Sequence, residues 1–164
     1  MNQDHHARFA ARRLAFQAMH DSGFFALPNP WDNGGVRCLE RLGFRALAST
    51  NAGYAWSLGV NDREVGLERM LDHLRHLCEA TDLPINADFE SGYADEPDEL
   101  AANVARAAAT GVAGLSIEDL AGDHLTSSSS VAPRGSSSGA TTSTTRWRAW
   151  WPTPKPAPTA SPLP

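Results

Sequence analysis

The apolar residues change period from segment to segment along the first 124 residues, and this alternation leaves few folds open. Leu67, Leu71, Leu74 and Cys78 recur at i, i+4, i+7 and i+11, one continuous stripe that predicts a helix over residues 64–81. Short apolar runs lie on either side of it and between the other helical stretches: FFALPNP (24–30), FRALAST (44–50), PINAD (84–88) and VAGLSIED (112–119). Each is too short for a helix and reads as a strand.

The remaining stretches carry helix punctuation. Residues 5–21 read as a helix stopping at Gly23. A second follows Asp32 or Asn33 as N-cap, with Leu39 and Leu42 inward and Gly43 just past its end. A later one opens with DEPDEL (95–100), where Asp95 can cap, Pro97 suits the first turn, and Asp98 and Glu99 favour the positive end. Leu100, Val104 and Ala107 form its inward stripe. Strands alternating with helices imply right-handed βαβ units and a parallel sheet.

A net charge of -5 gives no reason to expect nucleic acid or an anionic membrane as partner. No apolar run approaches the ~18 residues of a membrane span, and the N-terminus lacks the apolar core of a signal peptide. These features predict a cytoplasmic protein. Cys38 and Cys78 then read as reduced, buried and inert.

In parallel α/β folds ligands sit at the carboxyl ends of the strands. Polar residues gather there: Asn29 and Asp32 after the first, Ser49, Thr50 and Asn51 after the second, Asp88 and Glu90 after the third, Glu118 and Asp119 after the fourth. Asp88, Glu90 and Glu118 would repel one another in a cleft. A hard divalent cation removes that conflict, and Mg²⁺, with oxygen ligands and retained waters, suits the set. Acids after strands also cap helices and bond loop amides, so the pattern alone leaves that alternative open. ASTNAG (48–53) offers backbone N–H groups and the Ser49 and Thr50 hydroxyls to an anion, or is an ordinary turn. His5 and His6 read as solvated, and His73 and His76 as surface residues on the outer half of their helix.

With these residues laid out, the chain resembles the isocitrate lyase/phosphoenolpyruvate mutase superfamily. LPNPWDNGGVRCLERLGFRALASTNAGYAWSLGVND, LPINADFESGYAD and NVARAAATGVAGLSIED carry the resemblance, in order, across about residues 8–123. It implies a (β/α)8 barrel, commonly oligomeric, with Mg²⁺ and a small 2-oxo acid or carboxylate ligand. Family chemistry makes or breaks a C–C or P–C bond through an enolate. By position, Asp88 matches an acid that holds the metal, and Glu90 lies in the same loop, two residues longer than in the mutases. Glu118 matches the acid ending the fourth strand, Asp62 a further acid near the metal shell. Ser49, Thr50, Asn51 and Ala52 fall where the family binds the substrate's acidic group. One departure stands out: Asn86-Ala87-Asp88 replaces the family's Asp-Ala-Asp.

Residues 125–164 follow other rules. From residue 126 on there is no Asp, Glu, Ile, Phe, Tyr, His or Met, a composition that predicts a disordered tail. Read one nucleotide upstream in GC-rich codons, residues 145–161 become DTVARLVAYAEAGADCL, so a frameshift joined to a short deletion near Gly122 to Leu125 is the expected cause. A genuine linker with Trp147, Trp150 and Trp151 as docking residues is the alternative. The expected architecture is the N-terminal half of a TIM barrel, about four βα units over residues 1–124. Such a chain lacks half the substrate shell, is expected to be inactive, and has open sheet edges that invite self-association. A non-catalytic half-barrel binding a partner chain or small anion is the rival reading. A Schiff-base aldolase fails because the one lysine, Lys155, lies in the tail.

Overall fold

A computed structural model describes residues 3–118, 120–121 and 124–125, with side chains from 7 to 118. The elements run α1 (Gln3–Ala18), α2 (Asn33–Arg41), β1 (Leu47–Ala48), α3 (Asn51–Ser57), α4 (Leu67–Ala80), β2 (Ile85–Asp88), α5 (Pro97–Ala109), β3 (Gly114–Ser116), β4 (Leu120–Ala121) and β5 (His124–Leu125). β1, β2 and β3 form a parallel sheet in that order; β4 and β5 pair as an antiparallel two-stranded sheet. The register sets Leu47 beside Ile85, and Asp88 beside Ser116. The tail expected after Leu125 lies outside the described residues.

The expected first strand over 24–30 is not a strand. Pro28 and Pro30 have no N–H to give a ladder. What remains is one backbone bond, from Ala48 N–H to Pro28 O at 3.1 Å. The Asn29 side chain stands in for a missing donor, bonding Ala48 O at 3.1 Å.

α4 covers the sheet. Leu71, Leu74 and Cys78 of its stripe are buried, joined by Met70 and Leu77, against Val36, Leu47, Ile85, Ala87 and Phe89. Each such fully buried aliphatic side chain contributes about 1.5–3 kcal/mol. Cys38 departs from expectation: it is exposed, on the outer face of α2, whereas Cys78 is buried and burial pushes its thiol up to about 12.

α1 closes the other end of the sheet through arginines. Arg12, only 5% exposed, donates to Cys78 O at 2.9 Å, to Thr81 O, and to Asp82 O at 3.2 Å. Arg13 donates to Ala108 O at 2.7 Å and Val112 O at 3.3 Å. These carbonyls end α4 and α5, where a helix leaves acceptors without intrahelical partners and its dipole is negative.

Candidate functional site

The strand ends meet around Asp88. Thr50 caps α3, its Oγ1 accepting from Gly53 N–H at 3.2 Å. This turns ASTNAG into a helix start, and brings Asn51 N–H to Asp88 Oδ2 at 3.2 Å. Ser49 Oγ accepts from Asp88 N–H at 2.9 Å. Asp88 is therefore held at its backbone and its carboxylate by two residues of one loop. Two donors that the sequence offered to a substrate anion, the amides of Asn51 and Gly53, are engaged inside the protein.

The loop after β2 is wound tightly. Glu90 and Tyr93 sit at φ 46° and 57°, with Gly92 between them at 79°. A non-glycine residue there costs of order 1–3 kcal/mol and persists only when its surroundings enforce it. Asn103 of α5 enforces it: its buried amide donates to Gly92 O and Tyr93 O, each at 3.1 Å. Phe89 packs edge-on to Tyr93 at 5.2 Å. Tyr93 Oη in turn accepts from Asn51 Nδ2 at 3.0 Å.

Glu90 lies beside Asn51, Asp62 and Asp88; burial, then the charges of Asp62 and Asp88, raise its pKa against a side-chain hydrogen bond from Asn51, which lowers it. Its Oε1 and Asn51 Oδ1 are buried without a hydrogen-bond partner among the described residues. Burial also raises the Tyr93 phenol, keeping it protonated. Glu118 reaches this loop through its backbone, its N–H donating to Glu90 O at 2.7 Å, while its side chain is exposed. Asp62 is exposed on the turn before α4 and Ala52 is half-buried in α3. Asn86 turns to β3, donating to Ser116 Oγ at 2.7 Å.

Asp88, Glu90 and Asn51 are thus brought together, with Asp62 near; Glu118 meets them by its main chain. Among the described residues no three His, Cys, Asp or Glu side chains are grouped so as to hold a metal ion unaided. Tyr93 and Asn103 are the positions sequence reasoning missed. Asn103 had a signal: it falls with Leu100, Val104 and Ala107 on the inward stripe of α5, where a polar residue needs a buried partner.

The one other concavity to note is an open cleft of about 510 Å³ lined by Trp31, Asp32, Tyr54, Ser57, His73 and His76. Asp88, Glu90 and Glu118 are not among its lining residues. His73, expected on the surface, is 6% exposed, because Tyr54 of α3 covers it. Asp32 is a helix cap here, its Oδ1 accepting from Gly35 N–H at 2.7 Å.

Comparison with known proteins settles the lineage. The phosphoenolpyruvate phosphomutase family model matches residues 16–142, well over half of the chain. The chain belongs to that family. An uncharacterized protein of Mycobacterium tuberculosis is 31% identical over 113 residues, which is 68% of this chain and 43% of that protein. A Burkholderia cenocepacia protein assigned as a lyase/mutase superposes with a TM-score of 0.69 at 44% identity, covering 71% of this chain and 42% of its own. A 2,3-dimethylmalate lyase superposes at 0.59 with 28% identity, over 68% and 39%. The fold is thus the N-terminal part of the family's TIM barrel, and the chain spans less than half the length of these relatives. The family match runs beyond the described residues into the stretch read as a tail. No described helix is long and apolar enough to cross a membrane.

Proposed function

We propose that the strand ends around Asp88 form the cation-side half of a site for Mg²⁺-dependent lyase or mutase chemistry on a small 2-oxo or hydroxy carboxylic acid. The supporting observation is the pair of buried, unpartnered oxygens, Glu90 Oε1 and Asn51 Oδ1, beside a fixed Asp88 carboxylate. All are hard oxygen donors, the set a Mg²⁺ ion prefers, and a Mg²⁺ that keeps several waters needs few direct ligands. The residues fit that ion, with Asp88 and Glu90 as ligands and Glu118 as a further acid at the rim. When bound, such an ion stabilises negative charge developing on a carbonyl or carboxylate oxygen.

The chain's own residues do the rest. Ser49 fixes Asp88, Thr50 and Asn51 set the start of α3 against it, and Asp62 and the Ala52 backbone flank the approach to the substrate's acidic group. Because the chain spans 42% of the lyase/mutase it superposes on, the described residues supply one side of a substrate shell. Binding without turnover is the outcome expected of this chain.

Calorimetric titration with Mg²⁺, alone and with 2-methylisocitrate-like acids, tests the reading alongside an assay for released 2-oxo acid. Mg²⁺-dependent acid binding that Asp88→Ala abolishes supports it. Turnover abolished by Asp88→Ala makes the chain itself an enzyme. Acid binding that ignores both Mg²⁺ and Asp88 favours a non-catalytic anion-binding half-barrel, and no Mg²⁺ binding at all sinks the cation site.

A further inference from the structure

We infer that Asn103 is a positioning residue for the cation ligands: it holds the left-handed loop after β2 and thereby keeps the Glu90 carboxylate beside Asp88. The inference rests on the cation reading above and assigns a further residue to it. Asn103 lies on α5 and is 5% exposed. Its NH₂ carries two N–H groups, and they serve two successive carbonyls, Gly92 O and Tyr93 O, each at 3.1 Å. In an extended chain successive carbonyls point to opposite sides. One amide reaches both only where the chain turns, as it does at Gly92 (φ 79°) and Tyr93 (φ 57°). Leu100, on the same face of α5, packs so closely on Gly92 that a Cβ there would collide with its Cδ1. One helix face thus grips the loop with a polar and an apolar side chain.

The grip reaches Glu90 by two routes. Along the main chain, Glu90 sits at φ 46°, its carbonyl accepts from Glu118 N–H at 2.7 Å, and Gly92 N–H donates to Phe89 O at 2.8 Å. The stretch from Phe89 to Tyr93 is therefore pinned at the end of β3 on one side and at α5 on the other. Through side chains, the Asn51 amide and the Tyr93 hydroxyl both hydrogen-bond the Glu90 carboxylate. That hydroxyl is held in place because Asn103 fixes the Tyr93 main chain and Phe89 packs against its ring. Asn103 acts through the loop, so losing it alters where a ligand sits and leaves the number of ligands unchanged.

Mg²⁺ titration of the 164-residue chain, with unfolding midpoints measured without metal, tests the assignment. Asn103→Leu keeps the volume and removes both donors; Mg²⁺ affinity is expected to fall about tenfold, the lower range for losing a group that orients a metal ligand. Asn103→Ala leaves room for water to bond the two carbonyls without fixing them. It is expected to show a similar loss, and it serves where the leucine variant does not fold. Val104→Ala, the neighbouring half-buried position on α5, is the control for stability alone. It is expected to lower the midpoint and keep wild-type affinity. The paramagnetic resonance spectrum of bound Mn²⁺ is expected to change in the Asn103 variants and not in Val104→Ala, a signature of ligand geometry that reduced stability does not produce. Wild-type affinity in a folded Asn103 variant, or an equal loss in Val104→Ala, overturns the inference and leaves the cation site standing. A wild-type chain that binds no Mg²⁺ overturns both.

Discussion

The His73 imidazole lies flat on the Tyr54 ring, with 3.6 Å between centroids and 7° between planes. Burial, helped by the nearby His76 and opposed by Asp32, lowers its pKa from 6.5 to about 4. The unfolded chain therefore takes up a proton near pH 6.5 that the folded chain refuses until about pH 4. Stability contributed by neutral His73 is present above pH 6.5 and lost as pH falls toward 4, to a limit of about 3 kcal/mol. His73→Phe retains a ring against Tyr54 and removes the titration. Urea unfolding followed through Trp31 and Trp56 fluorescence is expected to show a flatter pH profile for this variant between pH 6.5 and 4. Parallel profiles for the two proteins would remove His73 as a cause of acid sensitivity.

Arg12 carries a larger share of the fold than a surface ion pair would. Its guanidinium is buried and serves three main-chain carbonyls at the end of α4. Arg12→Met keeps the apolar stem but takes the donor from the Thr81 and Asp82 carbonyls, while Cys78 O keeps the Arg8 guanidinium at 3.2 Å, at a cost of about 2–4 kcal/mol. Arg8 reaches Asp82 at 3.1 Å from an exposed position, and Arg8→Met is expected to cost under about 1 kcal/mol. Guanidinium denaturation of both variants checks the contrast, and equal costs would reject it.

How much of this was visible in the sequence depends on the range of the interactions. α2, α4 and α5 follow from apolar spacing, and the parallel sheet follows from the alternation. Asp32 caps α2 as expected, whereas α5 begins after Glu96 with no side-chain cap from Asp95, and Leu42 of α2 turns outward. Residues 24–30 have the apolar content of a strand, but Pro28 and Pro30 have no N–H to give a ladder, so no strand forms there. Arg12 and Arg13 look like ordinary polar-face residues of α1; their acceptors lie about 70 and 95 residues away, and no local pattern records such a contact. The same holds at the site. Asp88 and Glu90 were legible as acids after a strand, whereas the link from Asn103 through Tyr93 to Asn51 depends on a left-handed loop whose path only the folded structure shows.

Gly114 tests how tightly the inner face of the sheet is closed. A Cβ at this position would meet Asn86 Oδ1 at 2.7 Å and the Phe16 ring at 2.8 Å. Asn86 is tied to Ser116 and Phe16 packs against His20 and Phe25, so neither neighbour is free to withdraw. Gly114→Ala is therefore expected to destabilise by about 1–3 kcal/mol, the usual range for overpacking. Gly59→Ala is the control for backbone alone: its φ is +73° and a Cβ meets nothing within 4 Å. Its cost is expected to stay near 1–2 kcal/mol, the penalty of a left-handed residue. Phe16→Leu combined with Gly114→Ala is expected to recover part of the loss, and a purely additive double variant would locate the strain elsewhere.

The sheet edges make the last prediction. Among the described residues β3 pairs with β2 on one side alone, and the extended segment before α2 presents Phe24 fully exposed. Ile117, at the end of β3, is 44% exposed. An unpaired strand edge flanked by apolar side chains is a template for another chain. The 164-residue protein is expected to self-associate in sedimentation velocity, with the larger species growing as concentration rises. A charge at the edge opposes such pairing, so Ile117→Lys is expected to shift the distribution toward monomer without lowering the unfolding midpoint. Phe24→Lys is expected to act in the same direction, because it removes a fully exposed apolar side chain from the segment next to β1. A monomer at every concentration would show that the edges are covered within the chain itself.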